Sequence, residues 1–198
     1  MIRELRPAIV LLLAFTVITG LIYPAFITLI AQTVFPHQAG GSLITVNGKV
    51  IGSELIGQTF TADKYFHSRP SAITTTDAKG NTIPDYYDAT NSEGSNLGPT
   101  SKALIARVQG DAAKLKAQNP GTPIPVDLVT TSASGLDPDI TPAGAAFQIP
   151  RVAKARKMTQ DQVAALVAQA TVQRSMGMLG EPRVNVLKLN LLLDAAGK

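Results

Sequence analysis

From Pro7 to Gly48 the chain carries no Asp, Glu, Lys or Arg, and the stretch Ala8 to Ala31 within that run is almost wholly apolar. As a helix its 24 residues extend about 36 Å, against a bilayer hydrocarbon core of roughly 30 Å. The run therefore predicts one membrane span with some tilt. A cleaved secretory signal has a similar basic start but an apolar core of only about 7 to 15 residues and a small-x-small exit. Here the core is longer, and neither Leu29-Ile30-Ala31 nor His37-Gln38-Ala39 has that exit pattern. A buried helix of a soluble protein rarely runs so far without a polar face. Arg3 and Arg6 precede the span, opposed only by Glu4, and no Lys or Arg follows until Lys49. Positive-inside bias then predicts residues 1–6 in the cytoplasm, a transmembrane helix over 7–34, and residues 35–198 as one periplasmic domain.

The outer part is of ordinary single-domain size. With Arg3, Arg6 and Glu4 set aside it keeps 16 of the 18 basic and 13 of the 14 acidic residues, too mild an imbalance to point to nucleic acid. The lack of cysteine suits a bacterial periplasmic domain without disulfides, and a reducing compartment equally well. On the span itself, Thr16, Thr19, Gly20 and Tyr23 fall at helical spacing on one face, which lets another helix approach closely. The same residues occur in lone anchors. Pro24 is expected to kink or end a rigid segment.

Beyond the span, Leu43–Val46 and Lys49–Gly52 flank Asn47-Gly48, a pair that readily supplies the positive φ of a type I′ hairpin. Phe60–Phe66 reads as a strand or an ordered loop. Ser71–Pro99, punctuated by Gly, Pro, Asn and Asp, reads as one long exposed loop. A helix is predicted over about Thr100–Ala117, with Leu104, Val108, Ala112 and Leu115 on one face. The segment Pro125–Thr131 alternates like a strand. Thr141 with Pro142 opens another helix, which Pro150 interrupts or follows with a second. Thr159 and Gln162 match a capping box ahead of the stripe Val163, Leu166, Val167, Ala170. The tail from Arg183 to Asp194 mixes strand and helix periods. The fold class expected is α+β: one transmembrane helix, then one extracytoplasmic domain with a small β-sheet and several helices.

The motifs of common catalysts are absent: no G-x-x-x-x-G-K-[ST], no H-E-x-x-H, no G-x-S-x-G and no cysteine nucleophile. No catalytic residue and no metal site are expected. The only histidines are His37, just beyond the span, and His67, which could orient a loop beside Ser68-Arg69. Joining them with Asp137 and Asp139 would make a metal set, but Asp-Pro-Asp more often forms a turn. Gly94-Ser95-Asn96-Leu97-Gly98-Pro99 could present backbone N–H groups to an anion, or be a plain turn into the next helix.

Several blocks together resemble one known family. They are Leu5-Arg6-Pro7-Ala8, Thr19-Gly20 with Tyr23-Pro24, Gly57-Gln58 with Phe60, Tyr65 to Ala72, Gly94 to Pro99, Val129 to Pro142, Gln148 to Arg156, and Gly180 to Asn190. In this order, and from end to end, the chain resembles the C subunits of the bacterial Kdp potassium-transporting ATPase. The resemblance implies an inner-membrane complex with a potassium-channel-like A subunit, a P-type ATPase B subunit that hydrolyses ATP, and a small F subunit. It implies an accessory, non-catalytic role in assembly, and action as a catalytic chaperone that raises the ATP affinity of the B subunit. No cofactor is expected to be firmly bound, and ATP is reached only through the complex.

The resemblance also implies a nucleotide contact at Gln148. The derived topology opposes this, because it puts Gln148 outside while ATP is cytoplasmic; the other reading of Gln148 is an amide that satisfies backbone near Pro150. Where the family usually has Ser-Gly-Gly-Ser-Asn, this chain has Glu93 ahead of Gly94, after Asp85 and Asp88. Carboxylates there disfavour an anion, and Asp85, Asp88 and Glu93 are expected to focus cations near a potassium entrance. The alternative function is a signal-anchored periplasmic ligand-binding or enzymatic domain unrelated to transport.

Overall fold

The computed structural model describes residues 2–197 and divides between Ser53 and Glu54 into two compact units. In the first unit, helix α1 (Ile2–Val17) runs into a π turn at Ile18–Ile22 and on into α2 (Tyr23–Val34). Arg3–Val34 is long and apolar enough to cross a membrane, and none of its most apolar window is buried in the protein. Pro24 does not end the helix. It has no N–H to offer the Gly20 carbonyl and its ring crowds that carbonyl. The chain meets this with a wider turn, in which the Tyr23 N–H reaches Ile18 O. A short helix α3 (Pro36–Ala39) follows.

The expected hairpin is present as β1 (Leu43–Val46) and β2 (Lys49–Ser53), paired antiparallel with a register shift between Ile44 and Thr45. Asn47 and Gly48 take φ +51° and +77°, as a type I′ turn requires.

The second unit holds the expected small sheet and helices, with three corrections. Ser71–Pro99 is not one exposed loop. Ile73 is fully buried, and β3 (Thr74–Thr76) pairs antiparallel with β4 (Thr82–Pro84). Asp77 makes this turn: its Oδ1 accepts from Lys79 N at 2.8 Å and Asn81 N at 2.9 Å. The segment at Pro125–Thr131 is not a strand but a 3₁₀ turn at Val126–Leu128. Asp127, Leu128 and Val129 are buried in succession, which alternation cannot produce, and the Asp127 carboxylate accepts from Thr141 N at 2.8 Å. Third, Pro150 does not interrupt its helix, because α5 runs unbroken from Pro142 to Arg156. Buried residues on both sides of the proline, Phe147 and Gln148 before it and Val152 and Ala153 after it, hold the axis.

Helix α4 (Lys102–Gln118) is capped by Ser101; its predicted face is half-buried and none of its residues is fully buried. Thr141 caps α5. The capping box of Thr159 and Gln162 opens α6 (Gln160–Ala170) as predicted. The tail is both things its mixed periods suggested. Arg183–Asn185 is a strand, and Asn185 then caps a helix, Val186–Ala196, through a bond to Lys188 N. With β5 (Asp139–Ile140) and β6 (Thr171–Val172), the tail strand, β7, forms an antiparallel sheet in the order β5-β7-β6. Its helix is α7.

Phe60–Phe66 contains no strand, yet the irregular segment places Phe66 at zero exposure in the core with Ile140, Val152, Val163, Val184, Leu189 and Leu193. A buried peptide without ladder partners must find others. Asn190 of α7 supplies them: its Oδ1 accepts from Phe66 N at 2.8 Å and its Nδ2 donates to Phe66 O at 3.0 Å. Asn190→Leu keeps the approximate volume but leaves both backbone groups unpaired, at a cost of about 2–4 kcal/mol. Thermal unfolding of the full chain in detergent measures this, and an unchanged midpoint contradicts it.

Candidate functional site

The next residue repeats the arrangement from another helix. Gln148 of α5, 4% exposed, accepts at Oε1 from His67 N at 2.8 Å, and its Nε2 donates to His67 O at 3.1 Å and Gly144 O at 3.4 Å. Arg151, one turn on, donates from Nη2 to the same Oε1 at 2.7 Å and from Nη1 to Asp63 O at 2.7 Å and Tyr65 O at 3.0 Å. Both donor positions and both acceptor positions of the Gln148 amide are thus taken by the protein itself. Glutamine and arginine at i and i+3 share one helix face, which is why one helix can hold both ends of the segment.

The His67 Nε2 lies 3.2 Å from Ala62 O and 3.3 Å from Arg151 Nη1. The two protons on Nη1 already serve Asp63 O and Tyr65 O, so Nε2 carries its own proton and donates to Ala62 O. Burial first, and then the Arg151 charge, hold the His67 pKa below its ordinary 6.5, against the bond to Ala62 and the Asp63 charge. Burial likewise lowers that of Arg151.

His67 and Gln148 form part of the lining of a cleft of about 330 Å³. Its walls are Gln58–Thr61, Ser68–Ser71, Tyr86 and Tyr87 on one side and Asp111, Lys114, Leu115 and Gln118 of α4 on the other. The Tyr87 hydroxyl donates to Arg69 O at 2.7 Å, and burial pushes its pKa up to about 12. Its ring lies against Gly57, where a Cβ would meet the ring and also stand 2.7 Å from Asp137 O. Arg69 is tied to Asp137 at 2.7 Å. Asp139, beside Arg183 at 3.0 Å, has its pKa raised by burial more than the arginine lowers it. The hydroxyls and amides that line the cleft suit hydrogen bonding. Among the described residues no three His, Cys, Asp or Glu side chains form a group that could hold a metal ion.

The other expected site residues lie elsewhere. Thr16 Oγ1 donates to Leu12 O at 2.7 Å and Thr19 Oγ1 to Phe15 O at 2.6 Å, so both hydroxyls donate within their own helix. Gly20 sits in the π turn, and Tyr23 opens the helix that follows it. Asp88 forms a local turn, accepting from Thr90 N at 2.9 Å, and its bonds to Thr90 lower its pKa. Asp85 is half-buried and Glu93 exposed, and Asp88 N donates to Asp85 O at 3.3 Å. Gly94–Gly98 is irregular and only Pro99–Thr100 forms a turn, closed by Ser101 N donating to Gly98 O at 3.0 Å; Gly94 itself approaches Ala133 O, 2.7 Å from where a Cβ would stand.

The family described as KdpC, the K⁺-transporting ATPase c chain, matches residues 5–195. The chain belongs to the KdpC family. It is 62% identical over 198 residues to the potassium-transporting ATPase KdpC subunit of Rhodopseudomonas palustris strain BisB18, covering 99% of this chain and 100% of that one. The corresponding subunit of Bradyrhizobium diazoefficiens is 62% identical over 198 residues, covering 99% and 98%. That of Methylorubrum extorquens is 57% identical over 195 residues, covering 98% and 97%. Sequence reasoning on this KdpC-family chain singled out Gln148 but missed Arg151, Asn190, Tyr87 and Gly57. The signal for Arg151 was its i+3 spacing from Gln148. For Asn190 it was a polar residue set among five leucines and a valine near the chain's end.

Because the folded chain depresses the His67 pKa, its contribution to stability is present above the unfolded value of 6.5 and is lost as pH falls from there through the folded value. Thermal midpoints of the full chain between pH 7.5 and 5 should decline with acid, and His67→Gln should flatten that decline. Equal slopes in the two chains would refute the assignment.

Proposed function

We propose that this chain is an accessory, non-catalytic subunit of a potassium-transporting ATPase complex. The full-length identity with KdpC subunits carries the reading. One helix anchors the chain in the inner membrane, its N-terminus is cytoplasmic, and residues 35–198 lie in the periplasm; Arg3 and Arg6 support that orientation. The catalytic site is on the P-type B subunit, with a channel-like A subunit and a small F subunit as the other partners. The role of this chain is assembly and a rise in the ATP affinity of the B subunit.

Gln148 acts in this reading as a brace for the peptide of His67 and not as a nucleotide ligand. Its amide has no bonding position left over, and the proposed topology separates it from cytoplasmic ATP. Any influence on ATP affinity then travels through partner subunits or the span, as a coupling between sites. Asp85, Asp88 and Glu93 bias the local field towards cations near the entrance of the A subunit.

A C-terminal fusion to a reporter that is active only outside the cytoplasm should be active, and the tagged chain should co-purify with a P-type ATPase. An inactive fusion would overturn the orientation, and isolation without such a partner would overturn the accessory role. Gln148→Leu should lower the thermal midpoint of the chain, and a photoreactive ATP analogue should label the B subunit but not this one; labelling that Gln148→Leu abolishes would make it a ligand. Neutralising Asp85, Asp88 and Glu93 together should raise the potassium concentration needed for half-maximal ATPase activity at low ionic strength, with little change in high salt.

A further inference from the structure

The connection between β6 and β7 is a built projection that buries nothing of its own. Ser175 and Leu179 exchange backbone bonds at 2.9 Å in each direction, and Met176 and Gly177 take positive φ in the turn between them. Across the neck, Arg174 Nη2 meets Glu181 Oε2 at 2.6 Å. The tip is therefore held in one shape, yet Met176 is 89% exposed, Met178 76% and Leu179 63%. Ordering a loop costs conformational entropy, and this one recovers none of it by burying its apolar side chains within the chain.

The chemistry of the projection selects among occupants. A loop that dips into a lipid surface carries aromatic residues and a cationic collar, whereas here the tip has no aromatic and the Arg174 charge is cancelled by Glu181. Methionine is flexible and polarizable and fits irregular apolar hollows on proteins. We infer that the Met176–Leu179 tip seats in an apolar, electrically neutral pocket on another subunit of the ATPase complex. This rests on the accessory-subunit reading above.

The chain has no cysteine, so Met178→Cys introduces a single reactive thiol. Maleimide labelling of that variant, read by the mass of this chain, should be about tenfold slower or more in the detergent-solubilised complex than in the free chain in the same detergent. Equal rates overturn the inference. So does protection of the free chain in phosphatidylcholine vesicles, which would make lipid the occupant. Protection that grows with the concentration of free chain points to a second copy and overturns it as well. M176S/M178S should leave the thermal midpoint of the free chain unchanged while reducing its recovery with the other subunits. Full recovery counts against the tip. Failure of the unaltered chain to co-purify at all would instead be a failure of the accessory reading.

Discussion

Two side-chain amides hold consecutive peptides of an irregular segment against the core of the second unit. Asn190 clasps Phe66 and Gln148 clasps His67, each through both the N–H and the carbonyl. A strand would satisfy such groups through a ladder. Here the Phe66 ring enters the core between α5 and α7 without one, so a side chain from each helix does that work. Arg151 extends the same hold to Asp63 and Tyr65, and Arg156 to Lys64 O at 2.6 Å. The cleft exists because the segment is pinned along one side while α4 stands opposite with no fully buried residue.

On the proposed reading, Gln148 contributes without touching a ligand. Gln148 lies on the cleft's lining, but its bonding capacity is spent on the backbone of His67 and Gly144 and on Arg151. Its loss would loosen the segment that also carries Ser68, Arg69 and the contact with Tyr87. Effects on a distant partner can follow from a change in the shape of this unit. The long apolar helix shows similar self-sufficiency, since its threonine hydroxyls return to carbonyls one turn back.

Local chemistry was legible in the sequence where a few neighbouring residues decide the outcome. Asn47-Gly48 specified its turn, Thr159 and Gln162 their box, and Thr141-Pro142 a helix start. The errors share a cause. Pro125–Thr131 alternates like a strand, but the buried Asp127 is claimed by Thr141 N, and the chain curls to deliver it. Pro150 carries a strong local stop signal that packing on both sides of it overrides. The Asp77 turn was readable and was missed within a polar stretch, because its thresholds are set by bonds to Lys79 and Asn81 rather than by apolar periodicity.

By itself the sequence determined the long apolar N-terminal helix, the helix caps, the hairpin and, through several ordered blocks, the KdpC family. These depend on hydropathy over one span or on bonds that reach no more than a few residues. The tertiary structure alone decided that the tail is a strand running into a helix, that Gln148 is a brace, and that Phe66 is central. The partners of Gln148 and Phe66 lie 81 and 124 residues away along the chain, a separation at which no local pattern records which amide will meet which peptide.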